Sequence, residues 1–167
     1  MKHIEIELTL TEQKIAEFIA KARYNNARKK DIPNNKKGPQ SNYSTDLEGF
    51  ASELAAAKLL NLYPDLQIDK VPNHDLIFKG VTIDVKATKY NSGRLIAGLN
   101  KNLKECDYYM LMVGTFPEYR CGGVASKKEL LNKETITNLG WGNLHALEQH
   151  ELKQIEEFKE LIKNETH

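Results

Sequence analysis

The sequence predicts an α/β or α+β domain built on a central β-sheet. Three observations predict it: two helical segments that open on capping boxes, a series of short segments at strand period, and no apolar run of membrane length. The 167 residues fit one domain, spanning 1–167, with a single core of ordinary size. Apolar content of 40% and charged content of 28% are those of a soluble globular chain.

The elements follow in order. His3 to Leu8 alternates as a short strand. Thr9-Leu10-Thr11-Glu12 is a capping box, and Ile15, Phe18, Ile19 and Ala22 continue at helical spacing to about Lys29. Residues 31–44 are rich in Pro, Gly, Asn and Lys and predict a long basic polar loop. Thr45-Asp46-Leu47-Glu48 is a second capping box, whose helix runs to a stop at Pro64 and is apolar nearly all round. Leu66 to Val71, Asp75 to Lys79, Val81 to Thr88, Tyr108 to Thr115 and Tyr119 to Ala125 read as strands. Lys127 to Asn132 is a short helix, and Glu151 to Ile162 an amphipathic one.

Composition excludes several classes. No window reaches the 18 or so apolar residues of a membrane helix, and MKHIEIEL lacks the apolar run of a signal peptide, which predicts a cytoplasmic protein. Cys106 and Cys121, without CxxC spacing, argue against a disulfide framework or a zinc site and read as lone thiols. Net charge is +1, but residues 21–37 hold Lys21, Arg23, Arg28, Lys29, Lys30, Lys36 and Lys37 against Asp31 alone. Such a segment could follow a phosphate backbone, the plain alternative being a solvated helix end and a loose loop.

The chemistry concentrates on the hairpin. With Lys79-Gly80 as a two-residue turn, Phe78 pairs with Val81 and, by counting back, Asp75 with Asp84. Leu76, Phe78, Val81, Ile83 and Val85 share the core face; Asp75, Thr82, Asp84 and Lys86 share the other. Two carboxylates facing each other at roughly 5 Å between Cβ atoms repel, unless a divalent cation lies between them. Lys86, two residues on, can orient or help deprotonate a water, or stabilise developing charge. The plain alternative is an exposed sheet face with an Asp–Lys pair. Glu53 falls on the apolar stripe of the second helix, where a carboxylate needs a metal or an ion pair with a core-edge Arg or Lys. Glu48 is a weaker candidate, explained by its capping box.

A helix bearing G-x-x-x-E, followed by D-x8-D-x-K on the hairpin in HDLIFKGVTIDVKAT, resembles the PD-(D/E)XK nuclease superfamily over roughly residues 45–115. The segment from Asp107 to Leu131 resembles the tail of small, often phage-encoded members. His74 stands where the family name has Pro. The resemblance implies a central mixed β-sheet flanked by helices, the restriction-endonuclease-like fold. It implies a Mg2+- or Mn2+-dependent endonuclease with Asp75, Asp84, Lys86 and Glu53 as catalytic set, and with Asp75, Asp84, Glu53 and the backbone carbonyl of Val85 as metal ligands. The implied partner is nucleic acid, DNA in preference to RNA, met in a bacterial or phage-infected cell, with a homodimer as a further expectation. Lys89, Arg94, Arg28, Lys29, Lys30, Lys36 and Lys37 are the candidate nucleic-acid contacts; Thr88, Tyr90 and Asn91 could join them, or form an ordinary exposed loop. His74 could touch substrate or simply pack. Trp141, in LGWGN, could stack on a base, although packing against the core is the more ordinary use. The alternative function is a non-catalytic nucleic-acid- or protein-binding module on the same fold.

Overall fold

The structure, a computed structural model, describes residues 3–30, 41–69, 74–101 and 105–165. The described residues hold four α-helices and eight strands, the strands arranged in two sheets. The larger has the order β1-β6-β5-β3-β2, made of β1 Glu5–Glu7, β2 Leu76–Phe78, β3 Val81–Thr88, β5 Tyr108–Thr115 and β6 Glu118–Ser126. β3 and β5 run parallel and every other pair in it is antiparallel, so the sheet is mixed. The smaller has the order β4-β8-β7, from β4 Leu95–Ala97, β7 Ile136–Asn138 and β8 Asn143–Leu147. The helices are α1 Leu10–Lys29, α2 Asn42–Leu59, α3 Lys127–Leu130 and α4 Ile155–Glu165.

β5 is buried along almost its whole length and divides two cores. On one face Met110 and Met112 join Ile83, Val85 and Phe78, under residues of α1, α2 and α4. On the other, Tyr109, Leu111 and Val113 join Leu95 and Ala97 of β4, Leu147 of β8 and Leu130 of α3. Helices therefore cover one face and the small sheet covers the other. Phe158 of α4 is fully buried and packs on the rings of Phe78 and Tyr108, at 5.8 and 5.0 Å between centroids. No helix among the described residues is long and apolar enough to cross a membrane.

Local signals account for most boundaries. The Thr9–Glu12 capping box is made in both directions, at 2.7 and 3.2 Å. α2 starts earlier than its sequence suggests, because the Ser41 side chain caps the N–H of Ser44 and Thr45 is already inside the helix. It also ends earlier, without waiting for Pro64. Asn61 takes a left-handed φ of 54°, and the N–H groups of Leu62 and Asn61 bond the carbonyls of Ala57 and Lys58 in a Schellman closure. α1 buries Ala16, Ile19 and Ala20, while Phe18 is 69% exposed, so the buried stripe is rotated from the expected one toward small residues that let α2 approach closely.

The expected strand from Leu66 to Val71 is absent over 66–69, and 70–71 lie outside the described residues. Its carbonyls are used otherwise: Arg23 takes those of Asp65 and Gln67, which holds the segment against α1. Leu95–Ala97, Ile136–Asn138 and Asn143–Leu147, to which the sequence reading assigned no element, form the small sheet. The C-terminal helix starts at Ile155, after a 3-10 turn at Gln149–Glu151 and a strap that bonds Val124 through Lys153, both bonds 2.9 Å. Gly123 (φ +133°) permits that approach, since a Cβ there would lie 2.4 Å from Cβ of Leu152.

Candidate functional site

The hairpin forms as its turn chemistry dictates. Lys79 and Gly80 both take positive φ, 47° and 88°, the combination that suits a two-residue turn to the twist of its strands. The pairs are Phe78 with Val81, Ile77 with Thr82 and Leu76 with Ile83. Leu76, Phe78, Val81, Ile83 and Val85 all reach the helix-side core, as the alternation requires. One residue further the expected register stops. Asp75 gives its N–H to the carbonyl of Ile83 at 2.8 Å, and its Oδ2 accepts the N–H of Val85 at 2.6 Å. The carboxylate thus takes the place of a strand partner beyond the end of β2, with a charge-assisted bond in place of a direct opposition to Asp84. A strand residue turns its N–H and C=O to the same edge, so the Val85 carbonyl belongs to the β2 edge of β3 as its N–H does.

Asp84 and Lys86 point to the other face, under the small sheet. The Asp84 residue is only 7% exposed. A lone carboxylate at such depth is costly, and two ammonium groups offset the cost. Lys86 Nζ is 2.5 Å from Oδ1, and Lys101 Nζ is 3.5 Å from Oδ2 and 3.1 Å from Glu105 Oε2. Burial works against the Lys101 ammonium, but the charges of Asp84 and Glu105 outweigh it and raise its pKa above the ordinary lysine value. The parallel register sets Tyr109 beside Asp84. Burial raises the pKa of the Tyr109 hydroxyl and of the neighbouring Cys106 thiol, and the Asp84 charge adds to both. Both therefore stay protonated at neutral pH, so Cys106 is no thiolate nucleophile.

Glu53 meets Arg23, at 3.3 Å between Oε2 and Nη1, which is the ion pair named as its plain alternative. The same guanidinium stacks on Phe50 at 4.7 Å and donates to the carbonyls of Asp65 and Gln67. Those two residues line a groove of about 680 Å³ that His74 and Asp75 also line. Glu53 thus connects through Arg23 to the wall facing Asp75. Glu48 has a structural use: it accepts the Phe116 N–H at 3.1 Å and the Tyr119 hydroxyl at 2.6 Å. Among the described residues no three His, Cys, Asp or Glu side chains are gathered to hold a metal ion. The hairpin's oxygen donors are the Asp75 carboxylate at its edge and the Asp84 carboxylate on the face under the small sheet, with the Val85 backbone between them in sequence.

No protein-family model, curated protein or solved structure matches this chain.

The expected phosphate contacts fall in two places. Arg28, Lys29 and Lys30 end α1, beside the segment that walls the groove; Arg28 lies over Tyr24 at 5.4 Å and Lys30 pairs with Asp69 at 2.6 Å. Lys36 and Lys37 lie outside the described residues. Lys89, over the Tyr90 ring at 5.3 Å, and Arg94, paired with Glu148 at 2.5 Å, lie past the C-terminal end of β3. The strand separates them from Asp84, so they are not immediate neighbours of the Asp84–Lys86 pair. Trp141 does not pack on the core. It is 60% exposed, because Gly140 and Gly142 carry it beyond the ends of β7 and β8. Lys101 and Glu105 were not singled out by the sequence. Their spacing of four residues is a weak signal, and the meeting of Lys101 with Asp84 depends on how the chain between β4 and β5 is placed against β3.

Proposed function

We propose that this chain is a metal-dependent nuclease of restriction-endonuclease-like fold that hydrolyses phosphodiester bonds, in DNA in preference to RNA. The observation that carries the reading is the Asp75 carboxylate bonded to the N–H of Val85, between Asp84 and Lys86. It fixes one hard oxygen donor against the part of β3 that carries a second, Asp84. Asp75, Asp84 and the Val85 carbonyl suit Mg2+ or Mn2+, which prefer oxygen and keep positions for water and phosphate. The ion, when bound, would polarise the phosphodiester and lower the pKa of an attacking water.

The chain's own residues have distinct parts. Asp75 is held by the Val85 N–H, and its carboxylate would be one oxygen donor to the cation. Asp84 is buried, so its charge is little screened by solvent. Lys86 stands on the same strand face, where it orients the water and stabilises charge on the phosphoryl oxygens. Glu53 acts through Arg23 as a positioning residue for the groove wall. Arg28, Lys29 and Lys30 supply non-specific attraction for a polyanion.

A second reading, a non-catalytic binding module, is favoured by the cations already paired to Asp84 and Glu53. Asp84→Asn separates the two. In Mg2+, the wild type is expected to nick supercoiled plasmid and the variant to lose about 10²-fold or more in rate. Calorimetry with Mn2+ is expected to show binding in the wild type alone. Equal cutting by both proteins, or equal Mn2+ binding, rejects the nuclease assignment. DNA binding without any cutting by the wild type favours the second reading.

A further inference from the structure

Under the small sheet, two buried polar atoms near Asp84 are left without hydrogen bonds. Among the described residues, neither Glu105 Oε2 nor the Tyr109 hydroxyl has a hydrogen-bond partner, although both atoms are shielded from solvent. Tyr109 is 0% exposed, so its hydroxyl cannot turn to water, and the neighbouring Cys106 thiol is a weak partner in either direction. A fold that needed only an apolar wall at this point would be as well served by Phe. An orphaned carboxylate oxygen and an orphaned hydroxyl in one cluster cost free energy that ordinary packing does not return.

The same cluster already draws in cations. Lys101 Nζ lies 3.1 Å from Glu105 Oε2 and 3.5 Å from Asp84 Oδ2, while Lys86 holds Asp84 Oδ1 at 2.5 Å. Two carboxylates from different segments thus share one nitrogen, at a spacing that a small ion bridges directly or through water. Lys101 fills the place imperfectly, since its contact leaves Glu105 Oε2 without a hydrogen bond. The cluster is also within reach of solvent: the side chains of Lys86, Lys101 and Glu105 are 30%, 27% and 30% exposed, against 10% for Asp84. Tyr109 stands beside Asp84 in the parallel register, and its hydroxyl feels the charges of both Asp84 and Glu105. A hydrated ion there would offer bound water to the Tyr109 oxygen and a hard positive charge to Glu105 Oε2, supplying what each lacks.

We infer that Glu105 forms with Asp84 the carboxylate pair of a site for an oxygen-preferring divalent cation, Mg2+ or Mn2+, and that Lys101 is the resident cation which such an ion displaces. The assignment deepens the nuclease reading, on which only the catalytic use of the ion rests, by adding a ligand and naming what holds its place. Two carboxylates suffice, because such ions keep several waters. Lys101 has a flexible four-carbon stem and can withdraw toward solvent. In a purely structural salt-bridge network, by contrast, Glu105 serves Lys101 alone, and its loss does not reach a metal ion.

Calorimetric titration of the full chain with Mn2+ tests the site without any need for cutting. Glu105→Gln and the near-isosteric Tyr109→Phe are each expected to weaken Mn2+ binding by about tenfold or more. Lys101→Met is expected to tighten it by about tenfold. Opposite signs at Glu105 and Lys101 are the mark of displacement. Circular dichroism of each variant checks its fold, and Tyr109→Phe, which changes no charge, still decides the matter where a charge change unfolds the chain. Wild-type affinity in Glu105→Gln or in Tyr109→Phe, weaker binding in Lys101→Met, or no Mn2+ binding by either the wild type or Lys101→Met overturns the inference. Mn2+ binding that Asp84→Asn abolishes and Glu105→Gln leaves unchanged removes Glu105 from the site and leaves the nuclease. Mn2+ binding that needs both carboxylates, without nicking of plasmid, keeps the site and removes the nuclease.

Discussion

At Asp75 a single hydrogen bond changes what the hairpin means. Strict pairing would set two carboxylates face to face; the bond to the Val85 N–H turns one of them along the sheet edge and leaves the other under the small sheet. Lys86 then has two competing roles, counter-ion to Asp84 or participant in the chemical step. Removing it as Lys86→Ala distinguishes them. A participant costs about 10²-fold in single-turnover cleavage at saturating Mg2+, with DNA binding nearly intact. A mere counter-ion is replaced by added metal, and the rate recovers. Lys86→Arg is expected to rescue poorly, because a planar guanidinium cannot occupy the same point. The pairing from Leu76 to Ile83 and the face shared by Asp84 and Lys86 were legible in the sequence because strand period and a Lys-Gly turn fix register locally; the placement of Asp75 was not, since it lies beyond the end of β2 and its carboxylate takes the Val85 N–H. Nor was Lys101, since its contact with Asp84 depends on how the chain between β4 and β5 is placed against β3, which no spacing announces. Glu53 was legible as a carboxylate requiring a partner, but the identity of that partner depends on how α1 crosses α2.

β3 and β5 were read at their observed bounds, whereas the Thr45 cap and the Pro64 stop expected for α2 are displaced by Ser41 and Asn61. α1 and the Ser126-capped α3 begin where their capping boxes lie. β4, β7 and β8 are 3, 3 and 5 residues long and sit among Gly and Asn, so neither length nor alternation distinguishes them from loop. The apolar residues of 66–69 misled for the opposite reason: Leu66 lines the groove and packs on the helix-side core, Ile68 is exposed, and neither enters a ladder. β3 and β5 are joined at their starts by Asp107, whose Oδ2 accepts from the N–H and hydroxyl of Thr82 at 3.0 and 2.9 Å. The bonds from Thr82, with the Lys127 ammonium, hold the Asp107 pKa below its ordinary 3.8. A depressed carboxylate contributes stability above the unfolded pKa and loses it as pH falls through the folded value. Urea midpoints are therefore expected to fall below about pH 4 in the wild type, and Asp107→Asn to show a lower midpoint at pH 7 with a shallower acid slope. Parallel acid slopes in the two proteins would remove this clamp.

For the whole molecule, β5 is the shared wall of two cores, and damage to one need not reach the other at once. Phe158→Ala opens a hole among α4, β2 and β5 on the helix side, remote from the face that carries Asp84 and Lys86. A loss of about 3–5 kcal/mol in unfolding free energy is expected. Plasmid nicking by the folded fraction is expected to stay within a few-fold of the wild type. A nicking loss far beyond the unfolded fraction would show that the two faces are coupled. The order of strands has a consequence for the growing chain. β4 lies in the crossover between β3 and β5, yet its sheet partner β8 follows ~50 residues later. When a ribosome has delivered the hairpin and both lysines that meet Asp84, the strand that covers them on the small-sheet side has still to be made. The large sheet can close first, and the Asp84 face is covered only once β8 has been made, by the closure of a long loop.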